Sequence, residues 1–331
     1  MRINQPFYWT VLGGVSIVFH IWLIFSGLIP NLVSRPLHMA LALPWCLMYG
    51  RHGSSLKFGT LLTAAGIFCC AYIVFNQELL SEQYGYISSM WQTGVAILLL
   101  TIVLEMARRS IGWPLPCVAL IALCYGLFGQ YIPGEFGHPG LPLNSFLGTM
   151  TIAEGGIWGK LTGVSVNVVA IFVIFGAVLN AGEAGQGFMN LATAAAGHLK
   201  AGVAKVSVLS SALFGSISGS ASANVASTGS FTLPAMIRQG YPRDFAAAVE
   251  AVASSGGQIM PPLMGAGAFV MVELTGIPYT EIMSASVLPA LLFFFTVWIG
   301  INAFSSRMVL KAVDEVDRPS AKTVWIRSEE H

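Results

Sequence analysis

The sequence predicts an all-α polytopic membrane protein with about eight spanning helices, one re-entrant helical hairpin and interfacial amphipathic helices. Of its 331 residues, 55% are hydrophobic and only 9% are charged, and the mean hydropathy is +0.72. Soluble domains carry about 25% charged residues, so the composition favours lipid over water as the surroundings of this chain. In lipid every backbone polar group must be paired internally, which apolar runs of helical length achieve. Two of these runs are interrupted by glycine, serine and proline, which predicts a hairpin and a broken helix.

Spanning helices are expected at apolar runs, because a helix needs about 20 mainly apolar residues to cross the hydrocarbon core. The runs lie at 7–29, 37–50, 58–75, 90–107, 111–132, 164–181, 243–276 and 280–305. The segments 143–160 and 184–200 have the pattern of amphipathic helices at the membrane interface. A loop rich in Pro and Gly at 133–142 predicts a division into domains at 1–140 and 141–311, followed by a charged cytoplasmic tail at 312–331.

The basic residues predict a cytoplasmic N-terminus, since cytoplasmic loops carry an excess of Lys and Arg. If the segment 205–238 enters and leaves on one side, eleven Lys and Arg residues before position 312 fall inside. Only Arg35 and Lys160 then fall outside. A single crossing at 205–238 would weaken this bias, so the charges favour a re-entrant hairpin.

The hairpin segment contains the sequence GSISGSASAN at 215–224, which consists almost wholly of small residues. Gly and Ser disfavour a continuous helix and let the backbone bend tightly. The arm before this sequence would be about 22 Å long, against a hydrocarbon core of about 30 Å. We therefore expect two half-helices that meet at a polar tip near the midplane.

Such a tip has the chemistry of an ion site. Unpaired carbonyls at the end of one arm suit a hard cation such as Na⁺, and unpaired N–H groups at the start of the other suit an anion. Further oxygen atoms come from the side chains of Ser216, Ser218, Ser220, Ser222 and Asn224. The alternative is a helix interface at which Gly and Ser only permit close packing.

A second unusual element lies at 243–276, where SSGGQIMPP occupies positions 254–262. Two glycines followed by two prolines interrupt the hydrogen-bond ladder and free carbonyls near 254–258. The alternative is a simple kink. Glu250 is a functional candidate because acidic residues inside a membrane are rare, and the alternative role is an ion pair with Arg243 or Lys205.

The segments ALFGSISGSASANVASTGSFTLPAMIRQGY (212–241) and FAAAVEAVASSGGQIMPPLMGAGAF (245–269) resemble the large membrane subunit of TRAP (tripartite ATP-independent periplasmic) transporters. The chain is most similar to the TAXI subfamily, whose small and large membrane subunits are fused. By this resemblance, 1–140 is a small-subunit-like membrane domain and 141–311 is the first inverted repeat of the large-subunit transport domain.

The resemblance implies a permease component of a sodium-coupled secondary transporter that imports organic acids of the C4-dicarboxylate type. It implies a TAXI-type extracytoplasmic solute-binding protein as partner, a bacterial or archaeal cytoplasmic (inner) membrane, no nucleic acid, and no cofactor besides Na⁺ as coupling ion. The expected ion- and substrate-binding residues are Gly215, Ser216, Ser218, Gly219, Ser220, Ser222, Asn224, Ser254, Ser255, Gly256, Gly257, Gln258 and Pro261. Na⁺ is expected to bind through Ser216, Ser218, Gly256 and Gly257.

The sequence departs from the family pattern in one respect. The large subunit of the family contains two inverted repeats, and only one is recognisable here. We therefore expect a second chain or a second copy to supply the other repeat. The alternatives are half of a split permease and a truncated remnant that does not transport.

An enzyme is the least favoured class. The histidines at 20, 38, 52, 138 and 198 are scattered singly in the sequence, and no HExxH or paired-acid spacing occurs. No GxxxxGK[ST] loop is present either, which disfavours transport driven by ATP.

Overall fold

The computed structural model describes residues 7–27, 29–50, 53–182 and 184–307. The tail expected at 312–331 and His52 lie outside this part of the chain. The chain forms two compact units, Met1–Asn167 and Val168–His331. The domain boundary expected at residue 140 separates a segment that resembles the small subunit from one that resembles the large subunit. It does not describe packing, and it stays a prediction.

The first unit consists of helices and short helical turns. The helices are α1 (Phe7–Phe25), α2 (Asn31–Leu47), α3 (Gly53–Phe75), α4 (Gln77–Glu82), α5 (Met90–Ile111), α6 (Pro114–Phe128), α7 (Leu143–Thr151) and α8 (Lys160–Val164). Single 3₁₀ turns lie at Gly129–Tyr131 and Gly156–Trp158. A π-helical turn at Ser165–Val169 follows α8.

Six apolar segments of the described chain are long enough to cross a membrane: Phe7–Phe25, Ser55–Phe75, Met90–Ile111, Pro114–Tyr131, Leu143–Leu179 and Tyr279–Ser305. The described residues contain no β-strand. The all-α polytopic class is therefore confirmed. Two of the eight expected spans are missing from this set. The run at 37–50 belongs to α2, which has 17 residues, and the run at 243–276 is interrupted.

The core of the first unit is built from aliphatic side chains at helical spacing. Leu43 and Leu47 on α2 lie four residues apart and are fully buried, as are Ile73 on α3 and Leu99 and Ile102 on α5. Residues three or four apart share one face of a helix, so these helices bury one face each against their neighbours.

Polar contacts lie both within and between the helices of the first unit. Glu105 accepts hydrogen bonds from Arg108 Nε at 2.7 Å and from Arg109 Nε at 2.6 Å. The sequence spacing suggested isolated histidines. His20 and His38 instead form a pair, because His20 Nε2 lies 2.8 Å from His38 Nδ1. They are 18 positions apart and meet because α1 and α2 pack together. Among the described residues, no group of three or more His, Cys, Asp or Glu side chains is placed to hold a metal ion.

The second unit contains the hairpin and the interrupted helix. Its helices are α9 (Ala170–Ala181), α10 (Ala184–Ala196), α11 (Gly202–Ser218), α12 (Ala221–Arg238), α13 (Arg243–Ser255), α14 (Ala266–Thr275) and α15 (Tyr279–Ser305). Helix α11 lies at the centre and packs against α10, α12, α13 and α15. Most of its residues are buried and small, which lets the neighbouring helices approach closely. The buried residues of α11 include three serines, whose hydroxyls need partners inside the unit.

Candidate functional site

The turn between α11 and α12 is two residues long. Gly219 has φ +60° and ψ 5°, a left-handed conformation that favours glycine at the end of a helix. Ser220 caps α12, since its side-chain oxygen accepts a hydrogen bond from Ala223 N at 3.3 Å. This turn is narrower than the ten-residue tip expected at 215–224, because the small residues on both sides of it remain helical.

The helix beginning at Arg243 is interrupted by a loop that other backbone atoms hold in place. Helix α13 ends at Ser255, a 3₁₀ turn covers Gly256–Gln258, and α14 starts at Ala266. The N–H of Gly265 donates to the Gln258 carbonyl at 2.7 Å, and the N–H of Leu263 donates to the Ser216 carbonyl at 3.1 Å. The second bond ties the loop to the last turn of α11.

The two interruptions touch through glycine. A Cβ atom added to Gly215 would lie 2.4 Å from Gly257 Cα, and one added to Gly219 would lie 2.4 Å from the Leu263 carbonyl oxygen. Contacts this close leave no room for a side chain, so the sequence needs glycine at both positions of the hairpin.

Asn224 links α12 to both neighbouring helices at the same level. It is fully buried, and its Nδ2 donates to the Ser211 carbonyl at 2.8 Å and approaches the Ser254 carbonyl at 3.4 Å. The same Nδ2 lies 2.8 Å from the position of a Cβ atom on Gly257. One amide group therefore fixes where the hairpin meets the interrupted helix.

Ser218 has a buried side-chain oxygen that, within the described part of the chain, has no hydrogen-bond partner. Buried hydroxyls are almost always paired, and leaving one unpaired costs about 1–3 kcal/mol. Ser216 differs, because its Oγ donates to the Leu213 carbonyl at 2.6 Å. Of the two serines expected to bind Na⁺, Ser218 therefore has the oxygen that lacks a protein partner.

The remaining expected residues have other surroundings. Gly256 packs against α15, where an added Cβ would lie 2.5 Å from Phe293 and 2.6 Å from Phe294. The side chains of Ser222, Ser255 and Gln258 are exposed, and Pro261 is half-buried in the loop before α14. Their part in binding stays a prediction.

A buried carboxylate lies one helical turn before the interruption. Glu250 is 1% exposed, and its Oε2 accepts hydrogen bonds from Ser207 at 2.7 Å and from Thr232 at 2.5 Å. Its Oε1 accepts from Thr228 at 2.5 Å and from Ser254 at 3.2 Å. These hydroxyl partners are not expected from the sequence. The only signal was the spacing of four residues in the pairs Ser207 and Ser211, Thr228 and Thr232, and Glu250 and Ser254.

The expected alternative, an ion pair of Glu250 with Arg243 or Lys205, is not formed among the described residues. Lys205 is buried, and its Nζ lies over the Trp298 ring at 5.1 Å from the centroid. Arg243 is exposed at the start of α13. The partners of Glu250 are therefore neutral hydroxyls.

A cavity of about 320 Å³ lies beside the hairpin, with Phe214, Ser227, Thr228 and Phe231 in its wall. Thr228 also donates to Glu250, so one hydroxyl separates the cavity from the carboxylate.

A helical hairpin packed against an interrupted helix, in a chain of apolar helices, is an arrangement that many secondary transporters use to build a binding site. Residues 98–328 match the family model described as Tripartite ATP-independent periplasmic transporter, DctM component. The chain belongs to this family, which consists of transporter components rather than enzymes, and it is a multi-pass protein of the inner membrane.

Several characterised relatives are similar over part of the chain. The C4-dicarboxylate TRAP transporter large permease protein DctM of Rhodobacter capsulatus is 35% identical over 157 residues, and the aligned region covers 45% of this chain and 36% of the relative. The isethionate TRAP transporter permease protein DctMQ of Oleidesulfovibrio alaskensis is 37% identical over 94 residues, and the aligned region covers 28% of this chain and 15% of the relative. The ectoine TRAP transporter large permease protein TeaC of Halomonas elongata is 30% identical over 128 residues, and the aligned region covers 39% of this chain and 30% of the relative.

The chain thus covers at most 36% of the length of these three relatives. The family match begins at residue 98, within α5 and ahead of position 141, where the large-subunit domain is expected to start.

Proposed function

We propose that this chain forms part of the permease of a sodium-coupled, binding-protein-dependent importer of organic acids. The observation that carries the proposal is the buried Ser218 oxygen, which has no hydrogen-bond partner among the described residues and lies next to two backbone interruptions that contact each other. Helix breaks of this kind supply carbonyl oxygens to Na⁺ in secondary transporters. Ser218, together with backbone carbonyls of the Gly256–Gln258 turn, would hold the ion.

The acid group of the substrate is proposed to bind near the start of α12. The first N–H groups of a helix have no partner within the helix and carry a partial positive charge. The Ser220 side chain satisfies one of them, at Ala223. The names of relatives cite C4-dicarboxylates and isethionate, and we propose a substrate of the dicarboxylate type for this chain.

Two partners belong to the proposal. One is an extracytoplasmic solute-binding protein of the TAXI type, which delivers the substrate. The other is a second chain or a second copy, which contributes the opposite wall of the site, because the described residues provide one hairpin and one interrupted helix of this kind. The N-terminus is proposed to be cytoplasmic.

The test is uptake into proteoliposomes that contain the full chain and its solute-binding protein. Radiolabelled succinate, isethionate and ectoine serve as probes, with an inward Na⁺ gradient or a K⁺ gradient of equal size. Uptake that needs both Na⁺ and the binding protein supports the proposal. Uptake at the same rate in the K⁺ gradient contradicts sodium coupling.

A second arm adds a polypeptide that carries the other repeat of the large subunit. Uptake that occurs only with this polypeptide supports a split permease. Absence of uptake in every arm contradicts transport and favours the remnant.

A further inference from the structure

Glu250 is a buried carboxyl group with hydrogen-bond donors around it and no cationic partner among the described residues. An ionised carboxylate has acceptor sites only, and four hydroxyl donors from α11, α12 and α13 fill them. A charge removed from water is costly unless an opposite charge compensates it. The surroundings of Glu250 therefore favour a cation close by.

The interruption that follows α13 offers a place for such a cation. Ser254 donates to Glu250 through its hydroxyl, and its carbonyl lies 3.4 Å from Asn224 Nδ2. The side-chain amide of Asn224 also contacts Gly257. Gly257 follows Glu250 by seven positions, through the end of α13 and the start of the 3₁₀ turn, which corresponds to about 10 Å along the axis.

Charged side chains on the helices packed around Glu250 are directed elsewhere. Lys205 on α11 lies over Trp298, whereas Arg238 on α12 and Arg243 and Asp244 on α13 are exposed. None of them forms an ion pair with Glu250 in the described structure. A bound Na⁺ would therefore be the main positive charge that this carboxylate meets.

We propose that Glu250 is a positioning residue that raises the affinity of the adjacent site for Na⁺. Its charge attracts the ion, and its hydrogen bonds hold Ser254 next to Asn224. This inference rests on the proposed sodium site and adds a determinant to it. At about 10 Å and an effective dielectric constant of about 20, loss of the charge weakens Na⁺ binding roughly fifteenfold.

The test compares Glu250→Gln with the wild-type full chain in detergent or nanodiscs. Glutamine keeps the shape and one acceptor oxygen. The hydroxyls of Thr228 and Thr232 also have backbone carbonyls as alternative acceptors, at 2.8 Å and 3.0 Å. The variant therefore removes the charge while most hydrogen bonds persist. The readout is the Na⁺ concentration that gives half of the maximal rise in the melting temperature, with K⁺ as the control salt.

The expected result is a half-maximal Na⁺ concentration raised roughly fifteenfold in Glu250→Gln and changed less than about threefold in Glu250→Asp, which restores the charge. Glu281→Gln is the matched control, because Glu281 on α15 is an exposed carboxylate of the same unit. Equal Na⁺ responses of the wild type and Glu250→Gln would show that Glu250 is only structural and would overturn the inference.

If Glu250→Gln does not fold, Ser254→Ala takes its place. Ser254 Oγ donates to Glu250 Oε1 at 3.2 Å, so alanine removes the hydrogen bond through which Glu250 holds Ser254 next to Asn224. A folded Ser254→Ala protein with an unchanged half-maximal Na⁺ concentration overturns the inference. A wild-type protein that does not respond to Na⁺ refutes the proposed sodium site itself, and this failure is distinguishable because it is seen without any mutation.

Discussion

Replacing Gly219 by alanine tests the contact between the hairpin turn and the loop that precedes α14. Gly219 has φ +60° and ψ 5°, and an added Cβ would lie 2.4 Å from the Leu263 carbonyl and 2.8 Å from the Met264 carbonyl. Gly276, at the end of α14, has almost the same conformation, with φ +68° and ψ 6°, but no described atom lies within 4 Å of an added Cβ. Gly276→Ala is therefore a matched control for the conformational cost alone.

The magnitudes follow from these two environments. A left-handed alanine costs about 1–2 kcal/mol at either position. The clash with backbone oxygens, which no side-chain rotation relieves, adds about 1–3 kcal/mol at Gly219 only. Since 1 kcal/mol shifts the melting temperature by roughly 2–4 °C in domains of this size, Gly219→Ala should melt at least about 2 °C below Gly276→Ala.

The assay is thermal unfolding of both variants and the wild type in the same detergent, followed by tryptophan fluorescence. The Na⁺ response is measured in parallel, and we expect it to weaken in Gly219→Ala and to persist in Gly276→Ala. Equal melting temperatures of the two variants would show that the loop does not contact the turn, and the reasoning about the site would fail.

Two further predictions concern the hairpin. Asn224→Ala removes the donor to the Ser211 carbonyl and should lower the free energy of unfolding by about 1–3 kcal/mol. The control, Asn190→Ala on α10, should change the free energy of unfolding by less than about 0.5 kcal/mol. Equal losses in the two variants would contradict the bridging role of Asn224. Single cysteines in place of Lys200 and Arg238, which are exposed on the two sides of the hairpin, should both react with an impermeant thiol reagent from the cytoplasmic face when exposed native cysteines are absent. Reaction from opposite faces would show a single crossing.

The fold class could be predicted from composition, because a long chain with few charges has few soluble alternatives. The positions of the hairpin and the interruption follow from local chemistry. Glycine at 219 ends α11 in a left-handed conformation, and Pro261 lacks the N–H that a continuous helix needs. The width of the turn did not follow, because Gly and Ser weaken a helix without excluding it, and packing around α11 keeps them helical.

Contacts between distant segments could not be predicted from a single sequence. The hydroxyl partners of Glu250 include Ser207, 43 positions away on another helix, and no periodicity reveals such a pair. The same reason explains the missed contact of His20 with His38. Whether a serine hydroxyl finds a partner depends on the fold of its neighbours, so only the structure shows that Ser218, unlike Ser216, has none among the described residues.

The central claim is that the hairpin turn and the interrupted helix form a sodium site with Ser218. It is tested most directly by a Na⁺ titration of the melting temperature in the wild type, Ser218→Ala and Ser284→Ala, with K⁺ as the control salt. Ser284 on α15 is exposed and serves as the matched serine. We predict that Na⁺ but not K⁺ stabilises the wild type and Ser284→Ala, and that Ser218→Ala needs at least about tenfold more Na⁺, as loss of about 1.4 kcal/mol implies. A wild-type protein without a Na⁺ response, or a Ser218→Ala protein that responds like the wild type, would contradict the claim.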